Sequence, residues 1–206
     1  MKKYLIFDFD GTLICSTNKI IDVIGNYFFK NYPDLEDTAR YYLQNSQGMS
    51  LLEQMKTVFD NKITAEKVTK ELYILLNTLR NKVSFIPGVQ KKIRKLSKKY
   101  RLFLTTGSST RFAKETLKDG SIEDCFELIY GSDEVLKGKD HIDIFKEYTQ
   151  DENFYKNSLY IGDGDMDKLF AQESGIDFIR VGTRGTSDEV KISSVTYIDN
   201  ILEKYN

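Results

Sequence analysis

Three features of the sequence predict an α/β fold, with a parallel sheet covered by helices on both faces and an all-helical segment interrupting it near its start. Short apolar runs alternate with amphipathic stretches through the second half of the chain. The first apolar run, residues 3–7, ends abruptly in acids, as a buried strand does when its carboxyl end opens onto a site. Residues 17 to about 80 show helical periodicity and no convincing strand. A chain of 206 residues is long enough to bury a sizeable core, and no internal repeat is visible.

In the helical segment, Ile20, Ile24 and Tyr27 share one face, as do Val68, Leu72, Leu75 and Leu79. Pro33 and residues 45–48 divide the segment into three or four helices. Pro87 and Gly88 precede a helix with Val89, Ile93 and Leu96 inward. Strands are then expected at residues 101–105, 127–130, 158–161 and 178–181, with helices at 109–118, 141–148 and 166–173 between them. Repeated units of this length place any ligand at the carboxyl ends of the strands. The expected division is a core of residues 1–14 and 83–206, with residues 15–82 as a helical cap above the site.

Lys and Arg number 30 against 31 Asp and Glu, for a net charge of -1, so there is no broad field to attract nucleic acid or an anionic membrane. The run Lys91, Lys92, Arg94, Lys95 and Lys98 reads as a solvated helix face. Asp8 and Asp10 interrupt the first apolar run too early for export or membrane spanning. The two cysteines, Cys15 and Cys125, are too few for a disulfide framework or thiolate metal site. A cytoplasmic location with buried or inert thiols is therefore expected.

Four short pieces carry chemistry. In Asp8-Phe9-Asp10-Gly11-Thr12-Leu13, alternating side chains send Asp8 and Asp10 the same way, and two adjacent anions call for a hard divalent ion such as Mg2+. Gly11 allows a sharp turn away from the site. Leu104-Thr105-Thr106-Gly107-Ser108-Ser109 offers hydroxyls and amides at a helix start, which suit a phosphate but also an ordinary helix cap. Leu136-Lys137-Gly138-Lys139-Asp140 supplies a lysine, and Gly162-Asp163-Gly164-Asp165-Met166-Asp167 brings three more carboxylates to a strand end. The fourth piece lacks the length and terminal Glu of an EF-hand loop.

Together the four pieces resemble, in order and type, the motifs of the haloacid dehalogenase superfamily, and the helical segment is similar to the cap of its phosphoglycolate phosphatase-like and phosphoglucomutase-like members. The resemblance implies a Rossmann-like core and a Mg2+-dependent phosphatase acting on a small phosphorylated metabolite through an aspartyl-phosphate intermediate. It assigns Asp8 as nucleophile, Asp10 as general acid and base, and Thr106 and Lys139 as ligands of the phosphoryl group, with amides at Phe9, Asp10 and Gly107. Magnesium would be held by Asp8, the carbonyl of Asp10, Asp163 and Asp167, with Asp165 as rival to Asp167. Gly107 stands where many relatives carry a polar side chain, and Asp140-His141-Ile142 replaces a proline-rich stretch. The turn at Gln47, Gly48 and Met49 resembles the substrate-facing loop of the cap. Arg40, Tyr41 and Tyr42 read as helix surface or core, and His141, the single histidine, as a capping or surface residue. A monomer or small homo-oligomer is expected. A sugar phosphomutase is the nearest alternative, and a non-turnover phospho-signalling or binding protein a remote one. Dehalogenation is disfavoured because Asp10 supplies an acid there.

Overall fold

The computed structural model describes residues 2–46, 49–79 and 82–205. Of the expected substrate-facing turn, Gln47 and Gly48 lie outside the described residues. β1 (Tyr4–Phe7) is wholly buried and leads through a tight loop to β2 (Ile14–Cys15). Four helices follow: α1 (Thr17–Asn31), α2 (Glu36–Asn45), α3 (Leu51–Val58) and α4 (Lys62–Asn77). β3 (Ser84–Phe85) returns to pair antiparallel with β2, so the helical segment departs and returns through a two-stranded neck. The chain continues as α5 (Val89–Leu96), β4 (Arg101–Thr106), α6 (Thr110–Asp119), β5 (Phe126–Gly131), α7 (Lys139–Thr149) and α8 (Phe154–Asn157). It ends with β6 (Ser158–Gly162), α9 (Asp165–Glu173), β7 (Asp177–Val181), β8 (Lys191–Ile192) and α10 (Asp199–Leu202).

Six strands form one sheet in the order β5-β4-β1-β6-β7-β8, and every pair in it is parallel. The chain builds outward from β1 through β4 to β5, then crosses back to place β6 on the other side of β1. The order reverses at β1, and that reversal opens a crevice beyond its carboxyl end. Both faces of β1 are covered. Leu5 and Phe7 join Leu102, Leu104, Val89, Ile93, Phe112 and Leu117 in one apolar layer. Tyr4 and Ile6 join Phe103, Phe145, Phe154 and Tyr160 in the other. Period-2 alternation into two buried layers is why the strand reads as an unbroken apolar run, and each fully buried large side chain contributes about 1.5–3 kcal/mol.

The helical segment packs on the same chemistry with small shifts in phase. In α1 the buried residues are Ile21, Ile24, Gly25 and Phe28, with Ile20 and Tyr27 at the margin. In α4 they are Ala65, Val68, Thr69, Leu72 and Leu76, and Leu75 is only half-buried. The stripe rotates by one residue because the neighbouring helices, rather than the helix's own repeat, decide which edge of an apolar face is covered. Ser50 caps α3 through a reciprocal pair with Glu53: its hydroxyl accepts from the Glu53 amide at 3.2 Å, and its own amide donates to the Glu53 carboxylate at 3.3 Å. Lys92 and Lys95 of the basic face of α5 pair with Asp199 at 2.8 and 2.7 Å. Cys15 is exposed rather than buried, Cys125 is half-buried, and both are free thiols. No helix among the described residues is long and apolar enough to cross a membrane.

Candidate active site

The carboxyl ends of β1, β4 and β6 and the loop after β5 converge on one point. Asp8 follows β1, and it is 2 % exposed. Thr106 closes β4, and Asp163 follows β6. One carboxylate oxygen from each of Asp8, Asp163 and Asp167 lies within 4.8 Å of the others. Gly11 makes the crowding possible. Its φ of 84° is in the left-handed region, and a Cβ there would stand 2.4 Å from Asp163 Oδ2.

The lysine that completes this cluster is Lys137, not Lys139 as expected. Lys137 Nζ donates to Asp8 Oδ1 and to Asp167 Oδ1, both at 2.7 Å, from a side chain with no solvent exposure. Lys139 is the first residue of α7, with its side chain 48 % exposed and paired with Asp143 one turn on. The physical reason is the helix boundary. A residue in the loop before α7 can extend toward the strand ends, whereas the first helical residue is committed to the outer face by its i,i+4 partner. Ser132 fixes the loop by donating to the Thr106 carbonyl at 3.0 Å and accepting from the Lys137 amide at 3.1 Å.

Asp10 is held apart from this cluster by hydroxyls. Ser16 Oγ donates to Oδ1 at 2.5 Å, and Thr106 Oγ1 and Ser108 Oγ donate to Oδ2 at 2.9 and 2.7 Å. Ser16 carries no sequence signal as a site residue, and Ser108 is one hydroxyl of a stretch that reads equally as a helix cap, the role Ser109 fills for α6. The Phe9 side chain turns away into the core, edge-on to Phe112 with ring centres 6.0 Å apart, so only its backbone is available to the site. At Gly107 a Cβ would stand 2.8 Å from the Met49 carbonyl oxygen. The close approach of the helical segment explains the glycine where a polar side chain was anticipated.

The fourth motif is divided by its hydrogen bonds. Asp167 is fully buried, accepting from Lys137 and Tyr160 (3.0 Å) on Oδ1 and from the Gly164 amide (2.9 Å) on Oδ2. Asp165 points outward, its side chain 90 % exposed, and pairs with Arg180. Arg180, 1 % exposed on β7, also donates to the Asp163 carbonyl at 2.8 Å and pairs with Glu189. It thereby anchors the backbone that presents Asp163. An arginine near the end of a short strand, 17 residues from the Asp163 carbonyl that it binds, gives no local signal of this role.

Three carboxylates facing one ammonium leave negative charge in excess. Burial, reinforced by Asp167, Asp163 and Asp10, pushes the Asp8 carboxyl well above its usual range, although Lys137 opposes this. Burial and Asp167 push Asp163 up to about 7. Burial disfavours the charge on Lys137, but Asp167 and Asp8 outweigh it and hold the ammonium well above its ordinary value. Asp8 Oδ2 is buried without a hydrogen-bond partner. An orphaned anionic oxygen beside two further carboxylates is a donor set of hard oxygens, and it fits a divalent cation such as Mg2+.

His141 is neither a cap nor a surface residue. It is fully buried, with Nδ1 2.7 Å from the Thr105 hydroxyl and Nε2 2.6 Å from the Val135 carbonyl. The carbonyl can only accept, so Nε2 carries a proton, and the Thr105 hydroxyl can donate to a bare Nδ1. Burial lowers its pKa to about 4, with Lys137 also lowering it and the Val135 carbonyl, Asp140 and Asp133 opposing. Below pH 6.5 the unfolded chain takes up a proton that the folded chain refuses. Stability from this group is therefore full at neutral pH and declines as pH falls toward about 4. Urea unfolding at pH 7 and pH 4.5 is expected to show a larger acid loss for the wild type than for His141→Gln, by up to about 3 kcal/mol. Equal losses would contradict the buried neutral ring.

Fold and site define a doubly covered parallel α/β protein with its acids gathered at a strand-order switch. The family model for haloacid dehalogenase-like hydrolases matches residues 5–181, and the protein belongs to that family. A hydrolase from Pseudomonas syringae shares its fold with a TM-score of 0.80 at 18% identity, all of both chains being covered. The HAD-hydrolase YfnB from Bacillus subtilis, bound to magnesium, gives 0.70 at 16% identity over 98% of each chain. In sequence, the chain is 26% identical over 146 residues to a bifunctional riboflavin kinase/FMN phosphatase from Arabidopsis thaliana. The match takes in 69% of this chain and 38% of that relative, so the chain spans well under half of the relative's length.

Proposed function

We propose that the protein is a Mg2+-dependent phosphatase that hydrolyses a small phosphate monoester through a phosphoryl group carried on Asp8. The observation that carries this reading is the state of the Asp8 carboxylate: Oδ1 is gripped by Lys137 while Oδ2 has no partner, at the floor of a cavity. In the first step an Asp8 oxygen bonds to phosphorus as the ester oxygen departs with a proton from Asp10. In the second, Asp10 takes a proton from water, the water oxygen bonds to phosphorus, and Asp8 is released with inorganic phosphate. Lys137 offsets the repulsion between Asp8 and the incoming dianion. Ser16, Thr106 and Ser108 keep the Asp10 carboxylate oriented through both steps, and amides at Phe9, Asp10 and Gly107 are the candidates to cradle the transferring oxygens.

The residues that would hold the metal are Asp8, Asp163 and the carbonyl of Asp10, with Asp167 as the supporting acid. Asp167 has its oxygens committed to Lys137, Tyr160 and Gly164. Bound there, Mg2+ supplies Lewis-acid neutralisation of the phosphoryl charge. In this reading the helices of residues 15–82 act as a cap that shields the site from water, and the protein works in the cytoplasm. Magnesium in a magnesium-bound relative and phosphatase in the name of another support the assignment.

The test is release of inorganic phosphate from a panel of phosphate esters with Mg2+ and after chelation. Release that stops with EDTA and returns with Mg2+ is expected, as is a rise in thermal stability on adding Mg2+ to metal-free protein. Isomerised sugar phosphate with little free phosphate would favour the mutase instead. Undiminished release in EDTA would remove the metal from the proposal.

A further inference from the structure

The cavity above Asp8 has two chemically distinct halves. Its floor is the polar cluster already described, with Asp8, Asp10, Lys137 and Asp163. Its opposite wall comes from the helical segment and is apolar, made by Ile20, Ile21, Leu43, Leu51 and Leu76 together with Met49. Among the described residues, no Lys, Arg, Asp or Glu of α1–α4 lines it.

The polar groups on that wall are Thr17, Gln54 and Tyr73, and two of them have their donors committed. Tyr73 donates to the Gly107 carbonyl at 3.1 Å. Burial pushes its phenol well above the usual value, so it stays neutral. The Gln54 amide nitrogen donates to the Ser46 and Met49 carbonyls at 3.1 and 3.3 Å, which fixes the amide orientation. The Gln54 carbonyl oxygen is buried without a partner. A wall without a cation, whose Tyr73 and Gln54 donors are committed and whose remaining side-chain donor is the Thr17 hydroxyl, leaves a carboxylate lying against it desolvated and without a charged partner.

Resting on the phosphatase reading, we propose that the natural substrate is the phosphate monoester of a compact, uncharged and largely apolar alcohol, carrying neither a carboxylate nor a second phosphate. The cavity measures about 90 Å³, which sets the compactness.

The experiment compares kcat/KM for isobutyl phosphate, phosphoglycolate and riboflavin 5′-phosphate in Mg2+, with Asp8→Asn as control. Isobutyl phosphate is expected to exceed each of the others by at least about tenfold, the scale of one unfavourable contact. Ile20 is half-buried at the edge of the wall, so Ile20→Arg can bring a cation there. It is expected to narrow the preference over phosphoglycolate by about tenfold or more through a lower KM for the carboxylate. Ile20→Gln, polar but uncharged, is expected to keep the wild-type order. A wild type that uses phosphoglycolate or riboflavin 5′-phosphate as well as or better than isobutyl phosphate, in an Asp8-dependent manner, overturns this inference and leaves the phosphatase reading intact. No release from any ester, or equal release by Asp8→Asn, removes both.

Discussion

Lys137→Met is expected to lower kcat/KM by at least about a thousandfold, because it deletes the only ammonium in contact with Asp8, the proposed nucleophile, among the described residues. The effect on folding is a second readout. With both Asp8 and Asp167 buried, loss of their shared cation leaves uncompensated charge, and the metal-free protein is expected to lose about 3–5 kcal/mol. Added Mg2+ should recover part of that stability without restoring turnover. Lys139→Met is expected to stay within about twofold of wild type in both respects, as suits an exposed ion pair on the first turn of a helix. Steady-state kinetics and urea unfolding on the two variants decide the matter. Loss of activity in Lys139→Met with retention in Lys137→Met would reverse the assignment.

Asp8→Asn is expected to abolish phosphate release, by about 10⁴-fold or more, since an amide cannot form the acyl phosphate. Stability is expected to move the other way. The substitution leaves Lys137 paired with Asp167 and removes one of the carboxylates that repel Asp163 and Asp167. A gain of about 1 kcal/mol, or roughly 2–4 °C in Tm, is the expected result for the metal-free protein. The stabilisation produced by Mg2+ should shrink in the same variant. A thermal scan with and without the metal, beside a phosphate assay, checks all three outcomes, and turnover surviving in Asp8→Asn would show that another group attacks phosphorus.

These results bear on how the site is built. The active cluster is unfavourable in itself: like charges are gathered, buried and only partly paired. Such strain persists because strong elements over-determine its position. β1 is locked between two apolar layers, Arg180 anchors the Asp163 backbone, and Ser132 ties the Lys137 loop to β4. The hydroxyl clasp on Asp10 separates its carboxylate from that of Asp8 while keeping both at the end of one strand.

The sequence by itself determined the architecture and the acids. Unbroken apolar runs alternating with amphipathic stretches dictate a doubly covered parallel sheet, and the carboxylates at positions 8, 10 and 163 follow strand ends, whereas Asp167 on the first turn of α9 is separated from its rival Asp165 only by the tertiary structure. Which lysine joins them was a different problem. Lys137 and Lys139 are two residues apart in a stretch without periodic pattern, and only the point at which α7 begins separates the inward residue from the outward one. The i,i+4 spacing of Lys139 and Asp143 was the available clue. Ser108, His141 and Arg180 were decided by tertiary structure for the same reason: a hydrogen bond between residues distant in sequence depends on how whole elements pack, which no local pattern of residue types records.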